Sequence, residues 1–179
     1  MSGGRATQSA DWRSLVRTVP DFPIPGILFQ DIVPVLADPA GLAAMTGELT
    51  EAARAMNPEV VVAIEARGFI LGAPIALALG VGFVPVRKPG KLPFTTRSVA
   101  YALEYGEAVL HVHTDALLAG ARAVIVDDVL ATGGTLAATA QLITESGADP
   151  VGAVVALEIR GLGARERLAG LPLTALEAV

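Results

Sequence analysis

The sequence contains no cysteine among its 179 residues, and this absence removes several kinds of chemistry. Disulfide bonds, zinc sites built on thiolates and thiol catalysis are all excluded. Aromatic residues are scarce at 4% of the chain, whereas hydrophobic residues reach 53%. Much of this apolar content is Ala, Val and Leu, the residues that fill the interiors of helices and parallel sheets.

Long runs of basic residues are also missing. The 13 lysines and arginines are outnumbered by 18 acidic residues, which gives a net charge of −5, so we expect no nucleic-acid partner. One local cluster, Arg87, Lys88 and Lys91, flanks a Pro-Gly turn. Such a cluster on an acidic chain suggests a small anionic ligand, although an ordinary solvated loop has the same composition.

Targeting and membrane signals are weak. Residues 1–10 are small and polar and lack the apolar core of a signal peptide, so we expect a disordered tail and a cytoplasmic protein. Residues 68–86 carry no charge over 19 positions, but glycines and prolines interrupt them. A buried helix followed by a buried strand explains this stretch better than a membrane span. The remaining length, residues 11–179, fits a single domain.

Short apolar runs alternate with helical patterns along most of the chain. This alternation predicts an α/β protein in which helices flank a mostly parallel central sheet. Residues 88–98 are polar and contain Pro and Gly, so we expect a mobile lid loop there. Strands are expected at 60–64, 83–86, 99–105, 108–113, 151–159 and 173–176, helices at 11–19, 39–56 and 69–79, and a strand, turn and helix across 122–147.

Residues 123–139 read AVIVDDVLATGGTLAAT and carry the strongest functional signal. The β-branched run predicts a strand that stops at Asp127 and Asp128, and the TGGT segment at 132–135 predicts a turn before a helix. Backbone N–H groups and two Thr hydroxyls at a helix N-terminus suit a phosphate, and the carboxylates suit ribose hydroxyls. The pattern favours a sugar-phosphate site over an ordinary strand-to-helix turn.

Five blocks of the sequence occur in the order typical of one enzyme family. They are DFPIPGILFQDI at 21–32, EARGF at 65–69, VRKPGKLP at 86–93, LEYG at 103–106 and the block at 123–139. Over roughly residues 15–177 the chain resembles the type I phosphoribosyltransferases, and among them the adenine-specific branch. The resemblance implies transfer of the phosphoribosyl group of phosphoribosyl pyrophosphate (PRPP) to adenine, giving AMP and pyrophosphate. It also implies a homodimer, Mg²⁺ bound mainly through PRPP, and no metal site built by the protein alone.

The resemblance assigns PRPP contacts to two strand ends and to the basic loop that carries Arg87, Lys88 and Lys91. Asp127 and Asp128 would hold ribose hydroxyls, and Arg67 would hold pyrophosphate beside a cis peptide bond at Glu65. Without the resemblance, a surface arginine is the less favoured alternative for Arg67. Whether the loop cations act across the dimer interface stays open. The expected PRPP contacts are Arg67, Arg87, Lys88, Lys91, Asp127, Asp128, Ala131, Thr132, Gly133, Gly134 and Thr135.

The resemblance also assigns the base and its proton. Glu104 is the expected general acid/base at the purine imidazole nitrogens, and Tyr105 is expected in the lid. Phe29 and Val129 match the pair that sandwiches the base. Taken alone, Glu104 has the pattern of a surface residue and the apolar pair that of core residues. The expected base-binding residues are Leu28, Phe29, Gln30 and Val129.

Two other functions stay open on the sequence. One is a related transferase acting on xanthine, hypoxanthine or orotate, which the blocks around Phe29 and at 103–106 disfavour. The other is a non-catalytic regulator that binds PRPP or a nucleotide, which Glu104 and the lack of room for a DNA-binding domain disfavour. His111 and His113 share one face of a strand, but with no third ligand in view we expect no metal site.

Overall fold

The computed structural model describes residues 11–102 and 106–179, which form two compact units with their boundary between Glu48 and Leu49. The tail predicted for residues 1–10 lies outside the described residues. The single domain over residues 11–179 stays a prediction.

The first unit begins with a 3₁₀ helix and an antiparallel strand pair. The 3₁₀ helix Trp12–Leu15 precedes β1 (Arg17–Pro20), which pairs with β2 (Leu28–Asp31). The helices α1 (Val33–Ala37) and α2 (Pro39–Arg54) follow, and the boundary between the units falls within α2. The Trp12 indole is fully buried, and its Nε1 donates to Glu48 Oε1 at 3.0 Å.

The helix predicted over residues 11–19 is therefore wrong beyond Leu15. Its second half pairs with β2 instead, from Arg17 opposite Asp31 to Pro20 opposite Leu28. Pro20 has no N–H group to donate to a helix, and an edge strand tolerates that loss. The short helix α1 was not predicted.

The second unit alternates strands and helices. In chain order it contains β3 (Val60–Ile64), α3 (Arg67–Leu79), β4 (Gly82–Val86), β5 (Thr96–Ala102), β6 (Glu107–His113), β7 (Arg122–Leu130), α4 (Gly134–Glu145), β8 (Asp149–Glu158), α5 (Ala164–Arg167) and β9 (Leu173–Ala178). Five of these strands form one parallel sheet in the order β4-β3-β7-β8-β9. The predicted α/β class with a parallel sheet is confirmed.

The apolar strands form the core of the second unit. All five residues of β3 are buried, as expected for a parallel strand covered on both faces. The antiparallel hairpin of β5 and β6 lies outside this sheet, but a bridge between Arg87 and His111 ties β6 to the segment that follows β4. The hairpin is thereby held next to the basic loop.

The strand β7 is longer than the sequence predicted. It does not stop at Asp127 but continues through both acids to Leu130, because β8 keeps pairing with it: Asp127 lies opposite Val155 and Leu130 opposite Glu158. The apolar partner strand extends the ladder past the point at which side-chain polarity changes. Both acids are thus held by regular backbone rather than by a loop.

The uncharged stretch at residues 68–86 is divided between α3 and β4, as predicted. In the described parts of the chain, no helix has both the length and the apolar character needed to cross a membrane.

Two helical glycines allow a matched test of packing. A Cβ on Gly72 in α3 would lie 2.6 Å from the Ala63 Cβ in β3, whereas a Cβ on Gly47 in α2 would meet nothing within 4 Å. We expect Gly72→Ala to lower the free energy of unfolding by about 1–3 kcal/mol through overpacking. Gly47→Ala should raise it by about 0.5–1 kcal/mol because alanine favours a helix. Urea denaturation measures both, and equal effects of the two substitutions would contradict the packing at Gly72.

Candidate functional site

Two strand ends that are distant in sequence lie side by side. β3 and β7 pair in parallel from Val60 opposite Ala123 to Ala63 opposite Val126. The turn at residues 65–68 and the acids at 127–128, near the end of β7, therefore lie next to each other at the same edge of the sheet. Ligands of open parallel sheets bind at this carboxyl edge.

Arg67, predicted to bind PRPP, is in direct contact with one of the two predicted acids. Arg67 Nε donates to Asp128 Oδ2 in an ion pair between α3 and β7. Asp128 is 5% exposed, whereas the side chain of Arg67 is 42% exposed. The guanidinium therefore joins a buried carboxylate to the open edge of the sheet. The Glu65–Ala66 peptide bond just before Arg67 is cis, as the resemblance implied.

A glycine allows this approach. A Cβ on Gly68 would lie 3.0 Å from Asp127 Oδ1 and 3.0 Å from the Val126 carbonyl oxygen. Any larger residue would push the first turn of α3 away from β7. The small residue in the EARGF block thus has a steric reason: it lets Arg67 reach the acids.

The two acids have unequal surroundings. Asp127 Oδ1 accepts a hydrogen bond from the Asp128 backbone N–H at 2.9 Å. Burial raises the pKa of Asp127 well above its usual 3.8, and the negative charge of Asp128 raises it further, against the smaller lowering effects of that hydrogen bond and of Arg67. Perturbed carboxyl groups of this kind cluster at functional sites.

The predicted phosphate loop, residues 131–135, follows β7 and leads into a helix. Gly133 has a φ of 79° and precedes α4, which begins at Gly134. Because Gly133 has no side chain, it cannot cap the first N–H groups of α4, and these groups suit an anion. The loop is packed as well, since a Cβ on Gly133 would lie 3.2 Å from the Ala164 carbonyl oxygen.

The three loop cations differ in their surroundings. Lys88 and Lys91 are exposed. Arg87 donates from Nε to Glu65 Oε2 at 2.8 Å and from Nη1 to the Lys91 carbonyl at 3.2 Å, and it lies over the Phe69 ring at 5.8 Å. Arg87 therefore ties the turn after β3 to the basic loop. Its direct contact with PRPP stays a prediction.

The predicted base-binding residues fall in different units. In the first, Phe29 makes an edge contact with Phe22 at 5.1 Å between ring centroids, Gln30 Oε1 accepts from Thr18 Oγ1 at 3.2 Å, and Leu28 is 63% exposed. In the second, Val129 is partly exposed in β7 between buried neighbours. That these residues enclose one base stays a prediction.

Glu104 and Tyr105, predicted as acid/base and lid residue, lie outside the described residues, and the mobility of the lid also stays a prediction. His111 Nδ1 lies 2.9 Å from Thr96 Oγ1. In residues 11–102 and 106–179, no group of three or more His, Asp or Glu side chains is arranged to hold a metal ion.

Sequence reasoning missed three residues at this edge. Glu65 is the partner of Arg87, the Tyr101 hydroxyl lies 3.4 Å from Thr135 Oγ1, and Arg167 reaches the loop from α5. The acid in the EARGF block was the available signal for the first. The other two contacts depend on how α4 packs against β5 and α5, for which the sequence carries no signal.

A parallel sheet with paired acids, a bridging arginine and a glycine-led helix at one edge defines a sugar-phosphate-binding α/β protein. The model of the phosphoribosyl transferase domain matches residues 35–167. The chain is 52% identical to the adenine phosphoribosyltransferase of Synechococcus sp. over 93% of this chain and 97% of the relative. It is 54% identical to that of Streptomyces coelicolor over 93% of each.

Solved structures agree with these relatives. The adenine phosphoribosyltransferase of Thermoanaerobacter pseudethanolicus superposes with a TM-score of 0.91 at 46% identity, over 93% of this chain and 97% of that one. That of Giardia lamblia, complexed with 9-deazaadenine, superposes with a TM-score of 0.89 at 38% identity, over 96% and 97%. The chain belongs to the adenine phosphoribosyltransferase family.

The raised pKa of Asp127 predicts how stability depends on pH. A carboxyl group whose pKa is raised by folding stabilises the fold below its unfolded pKa of about 3.8, and this contribution is lost as the pH rises through the folded pKa. Asp127→Asn keeps an oxygen acceptor for the Asp128 N–H but cannot ionise. We therefore expect its free energy of unfolding to increase relative to wild type as the pH rises from 4.5 to 8.

Denaturant unfolding at the two pH values measures this difference. Asp115→Asn, which neutralises an exposed carboxyl group, is the matched control and should follow wild type. A difference between Asp127→Asn and wild type that stays constant from pH 4.5 to 8 would be evidence against the charge effect.

Proposed function

We propose that the chain catalyses transfer of the phosphoribosyl group of PRPP to adenine, with AMP and pyrophosphate as products. The 52% identity to an adenine phosphoribosyltransferase over 93% of the chain carries this proposal, including the choice of base. The contact of Arg67 with Asp128 beside the loop at 131–135 supports it, because PRPP presents a diphosphate, a ribose and a 5-phosphate within one molecule.

Each part of PRPP has a counterpart at the carboxyl edge of the sheet. The N-terminus of α4 suits the 5-phosphate, since its first N–H groups and the Thr135 hydroxyl are donors. Asp127 and Asp128 suit the ribose hydroxyls as charged or neutral acceptors. Arg67 suits the diphosphate, because a guanidinium makes paired hydrogen bonds to phosphate oxygens.

Substrate binding then requires an exchange of partners. The ion pair between Arg67 and Asp128 joins the two groups that we assign to different parts of PRPP. When ribose hydroxyls donate to Asp128 and the diphosphate accepts from Arg67, both groups keep a partner. The buried carboxylate of Asp128 is therefore not left as an unpaired charge, which would oppose binding.

The residues of the site fit Mg²⁺ carried by the substrate. Asp127 and Asp128 offer the oxygen donors that this ion prefers. The described residues form no group of three or more side chains that could hold the ion by themselves. We propose that these carboxylates orient PRPP, and Mg²⁺ bound to PRPP would supply positive charge to the departing diphosphate. Lys88 and Lys91, exposed beside Arg87, would add positive charge near the leaving group.

The bond between C1 and the diphosphate breaks through an oxocarbenium-like state, as in glycosyl transfer. The protein supplies no nucleophile, since adenine attacks C1. Phe29 and Val129 would orient the base for this attack. Glu104 would accept the proton that the purine loses as the new bond forms.

We also propose a cytoplasmic homodimer. Ile70 and Leu77 are 48% and 83% exposed and lie seven residues apart on one face of α3, so a second copy could cover them. The cytoplasmic location fits the substrates, because PRPP and AMP are charged metabolites that do not cross membranes unaided.

Incubation with PRPP, Mg²⁺ and one base at a time tests the activity. We expect AMP from adenine, and turnover with hypoxanthine, guanine, xanthine or orotate that is lower by at least about 100-fold, since a site built for one set of hydrogen bonds rejects others. Product formation is measured by chromatography, with Mg²⁺ omitted as a control. Faster turnover of any other base would overturn the choice of adenine, and binding without turnover would favour a regulator.

Glu104→Gln tests the proton transfer. Glutamine keeps the size and reach of the side chain but cannot accept a proton, so we expect kcat to fall by about 10²–10⁴-fold. PRPP affinity should stay near wild type, because the assigned PRPP contacts lie elsewhere. Glu107→Gln, at the exposed start of β6, makes the same change nearby and should leave kcat unchanged. Single-turnover kinetics separate chemistry from product release, and full activity of Glu104→Gln there would remove the acid/base role.

A further inference from the structure

We propose that Arg167 is a further ligand of the 5-phosphate, an inference that rests on the proposed function. The residue belongs to α5, which lies between β8 and β9, and none of the five resemblance blocks includes it. Its assigned role is to bring a positive charge to a phosphate loop whose other donors are N–H and hydroxyl groups.

The guanidinium of Arg167 lies against the first residue of α4. A Cβ on Gly134 would be 3.0 Å from Arg167 Nη1 and 3.3 Å from Tyr101 Cδ2. The Tyr101 hydroxyl in turn lies 3.4 Å from Thr135 Oγ1. An arginine and a tyrosine from two other elements therefore meet at the residues assigned to the phosphate.

The position of Arg167 follows from the packing of its helix. Ala164 is 4% exposed, and its backbone packs on Gly133, as the 3.2 Å distance from a Cβ there to the Ala164 carbonyl shows. Residues three apart in a helix share a face, so Arg167 lies above Gly134 when Ala164 lies above Gly133. Ala164 and Arg167 of α5 thus lie against Gly133 and Gly134, respectively.

A neighbouring arginine shows that the two basic residues of α5 do different things. Arg165 makes three hydrogen bonds to the buried carboxylate of Glu158, at 2.6–3.1 Å, so this ion pair anchors α5 to the end of β8. Arg167 has no such acid among the residues that the structure describes. Its charge is exposed and available to a ligand.

The charge balance of the loop gives this cation a function. A phosphate monoester carries nearly two negative charges at neutral pH, and the N-terminus of a helix supplies only about half a positive charge. Within residues 127–135 the side chains carry only negative charge, from the two acids. Arg67, Lys88 and Lys91 are assigned to the diphosphate, and Arg87 is paired with Glu65. Arg167 lies against Gly134 and is therefore placed to supply positive charge to the 5-phosphate.

Binding of phosphorylated and unphosphorylated ligands tests the inference on the 179-residue chain. Calorimetry with AMP, adenosine, ribose 5-phosphate and pyrophosphate is compared for wild type and Arg167→Gln. We expect affinity for AMP and ribose 5-phosphate to fall by roughly 10-fold or more, as for loss of one charge-assisted hydrogen bond. Affinity for pyrophosphate should change less than about 2-fold, which also verifies that the variant is folded.

Arg160→Gln is the matched control, because it removes the same charge from an exposed residue between β8 and α5. It should leave all four affinities within about 2-fold of wild type. Arg167→Lys should recover part of the lost AMP affinity, since lysine keeps the charge without the planar fork. Equal AMP affinity of Arg167→Gln and wild type would overturn this inference alone. Failure of the wild-type chain to bind AMP would overturn the proposed function and this inference together.

Discussion

The parallel pairing of β3 with β7 is the contact on which the site depends. It places the turn at residues 65–68 beside Asp127 and Asp128, although about 60 residues separate the two segments in the chain. The first turn of α3 can then approach β7 closely enough for Arg67 to bond to Asp128, because Gly68 has no side chain. A shift of one residue in this register would turn the acids to the other face of the sheet.

The acid pair near the end of β7 is costly for stability and useful for binding. Two adjacent buried carboxyl groups repel each other, and burial raises the pKa of Asp127. A core of apolar residues would avoid that cost, so the arrangement points to function rather than to folding. The strand that carries the acids pairs with β3 as far as Val126 and with β8 as far as Leu130. Regular hydrogen bonding holds the groups in place for a substrate that brings its own donors.

The elements that the sequence predicted well are those with strong local patterns. The run at residues 60–64 forms β3, and the TGGT segment leads into α4, because continuous β-branched residues and a glycine turn restrict the backbone by themselves. The failures are of the opposite kind. The residues of β1 have a helical pattern but pair with β2. The strand β7 continues beyond its apolar run because β8 keeps pairing with it. In both cases a distant strand decided the local structure.

The sequence by itself determined which acids, glycines and basic residues are available to the site. These residues lie mainly in five blocks that are typical of one family. Only the tertiary structure decided which of them meet. Arg67 bonds to Asp128, Arg87 to Glu65, and Arg167 lies against Gly134. Basic residues have nearly the same local pattern whether they face solvent, an acid or a ligand. Their partners are set by strand register and by the close approach of backbones at glycines, and these long-range contacts have no counterpart in local sequence.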